Sequence, residues 1–294
     1  MAIANTLKAV LWMLGAVMSF TAMALAGREM ANELDTFEIM MYRSVIGLTV
    51  VLAIGGFAGS LSTISTRRFS LHLVRNSSHF IGQNLWFYAI ALIPFAQVFA
   101  FEFSTPIWVA LMAPIFLAER LTKIRLITVT VGFLGILIVA QPGSITISPG
   151  VIAAALCAIG FAGAYIGTKL LSRTESITCI MFWLASIQLV LGIVFTAYDG
   201  DIAVPSLTNL PLIVLVGCAG LFAHYCIASA LKLSPVMVVS PIDFLRLPIV
   251  ALIGASFYNE AINIWVIVGA VIVFSANILN IWGESKTKVT SHIT

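Results

Sequence analysis

Charged residues are scarce in this sequence. Only 9% of its 294 positions carry a charge and 61% are hydrophobic, whereas a soluble domain has about 25% charged residues. The largest gap between apolar runs, 59–73, is about fifteen residues, which is too short for a separate soluble domain. These shortages exclude a soluble globular protein, and we predict an integral membrane protein.

The sequence also lacks the short motifs of many enzymes and cofactor-binding proteins. It has no Gly-rich phosphate loop, no HExxH zinc motif and no serine-nucleophile motif. Asp199 falls in a predicted outer loop and no Gly-x-Gly-Asp run exists, which argues against an intramembrane aspartyl protease. We predict no enzyme, no cofactor and no metal site, and keep an intramembrane enzyme or a channel as alternatives. The four cysteines lie within apolar runs and form no disulfide or metal pattern: Cys157, Cys179, Cys218 and Cys226.

Ten long apolar runs are present instead. A helix needs ~20 apolar residues to cross a hydrocarbon layer of ~30 Å. The first run resembles a signal peptide at Ala24-Leu25-Ala26, but cleavage would remove one helix of a symmetric pair, so we predict that it spans the membrane. The predicted spans are 7–26, 38–58, 74–92, 95–117, 124–141, 149–171, 177–198, 209–232, 235–257 and 263–283.

A repeat relates the two halves of the chain. Glu102 in Phe-Glu-Phe and Asp243 in Ile-Asp-Phe lie 141 residues apart, and the same offset aligns Glu119 with Glu260. Each half holds five spans, an odd number, so the second half must cross the membrane in the opposite sense. We predict an all-α integral membrane fold of ten transmembrane helices in two inverted five-helix repeats. The units are residues 1–141 (spans one to five), 149–283 (spans six to ten) and a cytoplasmic tail, 284–294.

Lysine and arginine predict the orientation, because they favour cytoplasmic loops. With the N-terminus inside, twelve of the fifteen lie on the cytoplasmic side, while Arg28 lies in an outer loop and Arg43 and Arg246 lie within spans. Both termini are therefore predicted to be cytoplasmic. The basic stretch 67–75 is interpreted as a topology signal, so no nucleic-acid partner is expected.

Polar residues converge at mid-membrane depth. With a rise of about 1.5 Å per residue, Glu102 and Asp243 lie about 12 Å from opposite faces, and Arg246 is one turn beyond Asp243. Ionisable groups in a membrane normally face a protein interior or a water-filled cavity. We predict a central cavity that binds a small-molecule substrate. Its candidate residues are Arg43, Gln83, Asn84, Trp86, Glu102, His224, Tyr225, Asp243 and Arg246.

These candidates have proposed roles and simpler alternatives. Arg43 and Arg246 would bind acceptor-rich parts of the substrate, while Glu102 and Asp243 would accept hydrogen bonds from it or exchange a coupling proton. Asp243 and Arg246 can also form a purely structural ion pair at i,i+3. Arg43 can also extend to the interface or pair with Glu38.

Two aromatic candidates also have alternatives. His224 titrates near neutral pH and can carry a proton, or it can be a packing group bonded to a carbonyl. Trp86 can offer a stacking face to a flat ligand, or it can belong to an interfacial aromatic belt. Prolines in spans four and nine are predicted bending points, or static kinks; they are Pro106, Pro114, Pro241 and Pro248.

Four segments carry a family resemblance. They are Met-Tyr-Arg (41–43), Phe-Tyr-Ala-Ile-Ala-Leu-Ile-Pro (87–94), Pro-Ile-Phe-Leu-Ala-Glu-Arg-Leu-Thr (114–122) and Gly-Phe-Leu-Gly-Ile-Leu-Ile-Val-Ala (132–140). With them the chain resembles the drug/metabolite transporter superfamily, in its ten-helix EamA-type branch. The resemblance implies a secondary carrier in a bacterial inner membrane that works by alternating access without nucleotide hydrolysis.

The resemblance also bears on the substrate. Relatives of this size carry amino acids, S-adenosylmethionine or riboflavin, whereas the four-helix drug exporters depend on a glutamate in their first helix. Span 7–26 has no glutamate, which argues against drug export by that mechanism. Fixed charges and amides beside a tryptophan suit a neutral or zwitterionic, partly aromatic metabolite. A riboflavin-like substrate is preferred, with S-adenosylmethionine or an amino acid as alternatives.

Overall fold

The protein is described by a computed structural model covering residues 2–117, 123–141, 147–198, 200, 202–233 and 242–291. Within these ranges the regular structure is entirely helical. The α-helices are α1 Ala2–Met30, α2 Thr36–Phe57, α3 Phe69–Leu92, α4 Phe95–Glu102, α5 Thr105–Phe116, α6 Lys123–Ala140, α7 Pro149–Leu171, α8 Ile177–Thr196, α9 Leu210–Leu233, α10 Arg246–Phe257 and α11 Ile264–Ser291; a single 3₁₀ turn spans Leu61–Thr63.

Length and hydropathy mark most of these helices as membrane-crossing. Six helical segments are long and apolar enough to span, and three shorter apolar helices accompany them. Helix α3 is long enough to cross but carries buried polar side chains, including His79, Gln83 and Asn84. The predicted all-helical, multi-pass membrane fold is confirmed for the part of the chain that the structure describes.

Local sequence explains where several helices begin. Asp35 and Glu38 form a capping box at the start of α2, in which each side chain accepts a hydrogen bond from the other residue's backbone N–H at 2.8 Å. Ser148 caps α7 and is followed by Pro149, a residue that fits the first helical position. Ser176 caps α8 through the N–H of Cys179. These polar caps satisfy backbone donors that hydrocarbon would leave unpaired.

The two halves interleave. Helix α1 packs on α9 and α3 packs on α7, while α2 packs on α8, α6 on α11 and α4 on α10. The repeat relates α1 to α7, α2 to α8, α3 to α9 and α6 to α11. When each helix is replaced by its counterpart, the α1–α9 pair becomes the α7–α3 pair, and the α2–α8 and α6–α11 pairs are unchanged. This pseudo-two-fold packing, with five crossings per half, is the arrangement of an inverted repeat.

The fourth span is broken. Helix α4 ends at Glu102, Phe103 and Ser104 form a turn, and α5 begins at Thr105. The second half repeats the break, because Phe244 and Leu245 form a turn just before α10. The two turns are 141 residues apart and directly follow the two acidic residues, Glu102 and Asp243.

Polar side chains satisfy the carbonyls that this break exposes. Ser104 Oγ donates to Phe101 O and Thr105 Oγ1 donates to Glu102 O, both at 2.6 Å, and Asn277 of α11 donates to Phe103 O at 2.8 Å. An unpaired carbonyl in a membrane costs several kcal/mol, so these bonds stabilise the interruption.

The predicted proline bends need refinement. Pro106 lies in the first turn of α5, just after the break, where proline's fixed φ is favourable. Pro114 is accommodated inside α5 and does not end it, while Pro248 lies in the first turn of α10. Pro241 lies outside the described residues. In each half the break therefore falls just before a proline of the next helix, Pro106 or Pro248, instead of at it.

Glycines allow helices α3 and α7 to approach closely. A Cβ on Gly160 would lie 2.7 Å from Gly82 Cα and 3.0 Å from Ser78 O. Both atoms belong to backbone, so relief requires the helices to separate. The α3–α7 contact is therefore specified by small residues.

The Gly160→Ala variant should lower thermal stability in detergent, by about 1–3 kcal/mol of unfolding free energy, which is the typical cost of overpacking. Gly56→Ala is the matched control, because its Cβ would meet only Leu61 Cδ1 at 3.9 Å. A helical alanine there should be neutral or stabilising. Equal melting temperatures for both variants would contradict the packing argument.

Candidate functional site

Four predicted residues meet at the breaks in spans four and nine; we call Trp86, Glu102, Asp243 and Arg246 the acidic centre. Arg246 Nη1 donates to Glu102 Oε1 at 3.1 Å and Nη2 donates to Asp243 Oδ2 at 2.6 Å. Trp86 Nε1 donates to Glu102 Oε2 at 2.8 Å. Both oxygens of Glu102 are thus bonded, and two carboxylates share one guanidinium.

The positions of these residues follow from the broken spans. Glu102 is the last residue of α4, Arg246 is the first residue of α10, and the two helices pack together. The Arg246 side chain is 5% exposed. Its guanidinium carbon lies 4.8 to 5.4 Å from the ring centres of Phe20, Phe99 and Phe103, distances at which cation–π attraction is effective.

The acidic centre retains unused hydrogen-bonding capacity. Among the described residues, Asp243 Oδ1 and Arg246 Nε are buried and have no hydrogen-bond partner. A buried polar atom without a partner costs about 1–3 kcal/mol. One acceptor and one donor of the acidic centre are therefore without a partner in the described part of the chain.

A second polar group lies between α2, α3, α8 and α9; we call Arg43, His79, Gln188 and His224 the Arg43 cluster. Gln188 Nε2 and His79 Nδ1 are 2.6 Å apart, and the rings of His79 and His224 are 6.2 Å apart. Arg43 Nη2 lies 3.2 Å from where a Cβ on Gly220 would be, one turn before His224. Arg43 also interacts electrostatically with both imidazoles.

Phe20 of α1 lies between the two groups. Its ring meets His224 edge-on at 5.8 Å and Arg246 at 4.8 Å. The counterpart of Phe20 in the other half, Phe161, meets His79 at 5.8 Å. The acidic centre and the Arg43 cluster are thus neighbours that share an aromatic wall.

The remaining predicted residues divide into buried and exposed. Gln83 and Asn84 are buried on α3; within the described part of the chain, Gln83 Nε2 and Asn84 Oδ1 have no partner, although Asn84 Nδ2 donates to Phe80 O.

Tyr225 is 59% exposed and packs on Trp12. Successive helical residues point about 100° apart, so the inward orientation of His224 turns Tyr225 outward. Tyr225 therefore lies apart from the other candidates, and its role in lining the cavity stays a prediction.

The alternatives weighed from the sequence can also be compared with the contacts. Trp86 is 2% exposed and bonded to Glu102, so it does not belong to an interfacial belt. Arg43 is 8% exposed and does not extend to the interface. Glu38 is engaged by the backbone N–H groups of Asp35 and Ala203 and is not an ion-pair partner of Arg43.

A third network closes the face predicted to be outer; we call Arg28, Glu260 and Phe95 the outer network. Arg28 Nη1 donates to Glu260 Oε1, and Phe95 N donates to Glu260 Oε2 at 3.0 Å. Arg28 also donates to the carbonyls of Ile90 and Ile93 and lies 3.5 Å over the Phe95 ring. It therefore links α1, the α3–α4 connection and the chain that follows α10.

Sequence reasoning missed several of these residues. Arg28 was predicted to lie in an outer loop, but α1 extends to Met30 and includes it. Tyr258 lies beside the outer network. Burial and the hydrogen bond that its hydroxyl donates to the Glu29 carboxylate raise the pKa of Tyr258 to about 12. His79 and Gln188 were detectable as isolated polar residues in apolar runs, although their contact joins residues 109 positions apart.

One group of side chains has the composition of a metal site. His72 Nε2 lies 3.9 Å from Cys179 Sγ, which lies 3.4 Å from Glu175 Oε2. Nitrogen, thiolate and carboxylate ligands suit Zn²⁺. In the described structure the thiol is positioned to donate to Ser65 O and to Glu175, contacts that occupy it without a metal.

A small void lies away from all of these groups. It is lined by Ile107, Ala110, Thr128, Val129, Ala276 and Asn277 and has a volume of about 0 Å³ for a water-sized molecule. Ligand pockets usually measure about 300–1,000 Å³. This void is too small and too apolar to explain the buried charges.

Comparisons with known proteins agree with this architecture. The chain is 26% identical over 275 residues to an S-adenosylmethionine uptake transporter of Rickettsia bellii, covering 94% of both proteins. It is 30% identical over 263 residues to a riboflavin transporter of Brucella anthropi, covering 86% of this chain and 90% of that protein. One crystal structure shares the fold, with a TM-score of 0.64 at 16% identity, covering 92% of this chain and 96% of that one.

The profile of the EamA-like transporter family matches the chain twice, at residues 7–141 and 148–282. The two matches correspond to the two interleaved halves of the fold. The expected resemblance to the drug/metabolite transporter superfamily is thereby confirmed. The chain belongs to the EamA-like transporter family and is a small-metabolite transporter of that superfamily.

Proposed function

We propose that this protein is a secondary carrier of the bacterial inner membrane, with both termini in the cytoplasm, and that its substrate binds at the acidic centre. The observation that supports this assignment is the buried, unpaired pair of atoms Asp243 Oδ1 and Arg246 Nε. The two carboxylates of Glu102 and Asp243 share the single guanidinium of Arg246, so the surroundings of these atoms carry a net negative charge when both carboxylates are ionised. A ligand that donates to the first and accepts from the second would satisfy both.

The substrate is a partly flat metabolite with several polar groups. Riboflavin, named for one relative, and S-adenosylmethionine, named for another, both carry a planar ring system with donors and acceptors. The aromatic residues around Arg246, which include Phe20 and Phe99, offer apolar surface to such a ring. Riboflavin remains the first candidate and S-adenosylmethionine the second.

Alternating access moves this substrate without chemical conversion, so the protein is not an enzyme. Glu102 and Asp243 are the candidates to bind a coupling proton. The outer network holds one entrance shut while the centre is occupied from the opposite side. The Arg43 cluster, Gln83 and Asn84 line the same path.

A ligand screen tests the proposal. Purified protein is heated with riboflavin, S-adenosylmethionine or amino acids, and a bound ligand raises the melting temperature by mass action, by about 2.7 kcal/mol at one hundred times Kd. Counterflow in liposomes then separates a carrier from a channel, because only a carrier exchanges unlabelled for labelled substrate. Unaltered substrate should be recovered. No stabilisation by any compound, or uptake without counterflow, would reject the proposal.

The Trp86→Phe variant should weaken binding about tenfold or more, because a hydrogen bond to a charged group contributes about 1.5–3 kcal/mol. The change keeps an aromatic ring but leaves Glu102 Oε2 without its donor. Isothermal titration with the ligand found in the screen measures the loss. Trp265→Phe is the control, since Trp265 is 56% exposed and should tolerate the change. Equal affinities in both variants would show that the indole N–H has no role in binding.

A further inference from the structure

Arg43 is a buried cation without a counterion. Among the described residues, Arg43 donates one hydrogen bond, from Nη1 to Met40 Sδ at 3.6 Å, and forms no ion pair. The residue is 8% exposed. Leaving a buried charge unpaired is strongly destabilising, so the fold retains a group whose partner must come from outside the chain.

Arg246 provides the contrast. Its guanidinium binds two carboxylates, Glu102 and Asp243. Its charge is therefore already more than neutralised, and an anionic ligand would be repelled there. The two arginines are thus not equivalent, because no carboxylate binds Arg43 in the described part of the chain. Arg75, a third buried arginine, already donates to the polar side chains of Thr168 and Asn76, so Arg43 is the better candidate to bind an anion.

The surroundings of Arg43 favour an anion. The imidazoles of His79 and His224 supply polar edges, and Gln83, one turn after His79, has an unpaired amide nitrogen. Gly220 lets the guanidinium approach α9 closely, because a Cβ there would lie only 3.2 Å from Nη2. A guanidinium that has no carboxylate partner among the described residues is a suitable partner for a planar carboxylate on a ligand.

We propose that the Arg43 cluster is the subsite for a carboxylate on the substrate, while the acidic centre binds the cationic or donor-rich part of the same molecule. This proposal rests on the proposed function and changes the order of its candidates, because a carboxylate-bearing zwitterion such as S-adenosylmethionine would then be preferred to riboflavin. Phe20 contacts both groups and separates them. S-adenosylmethionine has both charges, whereas riboflavin has neither.

The test compares ligands that differ by one carboxylate. Affinities of purified protein in lipid nanodiscs are measured for S-adenosylmethionine, decarboxylated S-adenosylmethionine and riboflavin. The wild type should prefer the carboxylate form by about 30-fold or more, since losing one partner of a buried charge pair typically costs at least 2 kcal/mol. Arg43→Gln should bring this ratio close to one, and Arg43→Lys should restore part of it.

Control variants separate this effect from general damage. Arg67→Gln removes the same charge from an exposed loop and should keep the wild-type ratio. Should Arg43→Gln fail to fold, Gly220→Ala serves instead: its added methyl group crowds Nη2 and should weaken binding of the carboxylate form more than binding of the decarboxylated form.

The outcomes are distinguishable. Preference for the carboxylate in the wild type, lost in Arg43→Gln or reduced in Gly220→Ala, supports the subsite. A wild type that binds riboflavin but shows no carboxylate preference, or a preference that survives the Arg43 substitution, overturns the subsite and leaves the carrier assignment intact. Binding of none of the three ligands or of any amino acid overturns both.

Discussion

Replacing Arg246 by alanine should abolish transport. Two carboxylates, Glu102 and Asp243, would then lie in the membrane interior without the guanidinium that both of them bind. Removing one partner of a buried pair costs about 3–5 kcal/mol. Uptake by proteoliposomes of the ligand found in the screen should fall by about 30-fold or more. Glu102→Gln, which keeps side-chain shape but removes charge, should also reduce transport strongly.

A double variant separates a structural role from a role in binding. Asp243→Asn together with Arg246→Ala removes one negative charge with the positive one, and should recover melting temperature relative to Arg246→Ala alone. Transport should remain low if Arg246 contacts substrate. Recovery of transport together with stability would identify the i,i+3 pair as purely structural. Wild-type kinetics in both Glu102→Gln and Arg246→Ala would show that the acidic centre is not the binding site.

Neutralising either member of the Arg28–Glu260 pair should also reduce transport, by a smaller factor. Both side chains are 13% exposed, and the pair connects α1 to the chain after α10. Arg28→Gln and Glu260→Gln should each raise the fraction of molecules open at the predicted outer face. Maximal transport should fall about tenfold, which corresponds to a shift of about 1.4 kcal/mol between states.

A double-mutant cycle measures this coupling. If the two residues act through their shared contact, the double variant should be little worse than either single variant, with an interaction energy of about 0.5–3 kcal/mol. Tyr258→Phe, which removes only the contact with Glu29, is the control and should transport normally. Strictly additive losses from Arg28→Gln and Glu260→Gln would refute a joint role.

Much of the architecture was predictable because the membrane imposes simple rules. Runs of about twenty apolar residues have few alternatives to a spanning helix. The constant offset between Glu102 and Asp243 indicated the repeat, and the rise per residue predicted that Arg246 lies at roughly the depth of Glu102. The distance between two residues of one helix follows from their separation in the sequence, so it can be calculated without the tertiary structure.

Other features depend on contacts between distant segments. No local pattern pairs α3 with α7, or His79 with Gln188, because these contacts depend on how the two halves interleave. The break after Glu102 was displaced from the prolines because the hydroxyls of Ser104 and Thr105 supply the replacement hydrogen bonds. Tyr225 is exposed whereas Asn84 is buried, because the offset that relates them preserves the position along the helix but not which face is buried.

The repeat offset adds a further property to the pair of Arg28 and Glu260. Shifted by 141 residues, it selects Lys169 and Glu119, again one base and one acid, each from the opposite half of the chain. Glu119 lies outside the described residues, so this correspondence is a property of the sequence. The two bases differ in how many groups they can bind at once, because a guanidinium has five N–H donors in a fixed plane and an ammonium has three on a flexible stem. Arg28 uses this capacity to bind the Glu260 carboxylate together with the carbonyls of Ile90 and Ile93. A lysine at position 28 would have to give up part of these contacts, so Arg28→Lys should loosen the packing of α1 on the α3–α4 connection.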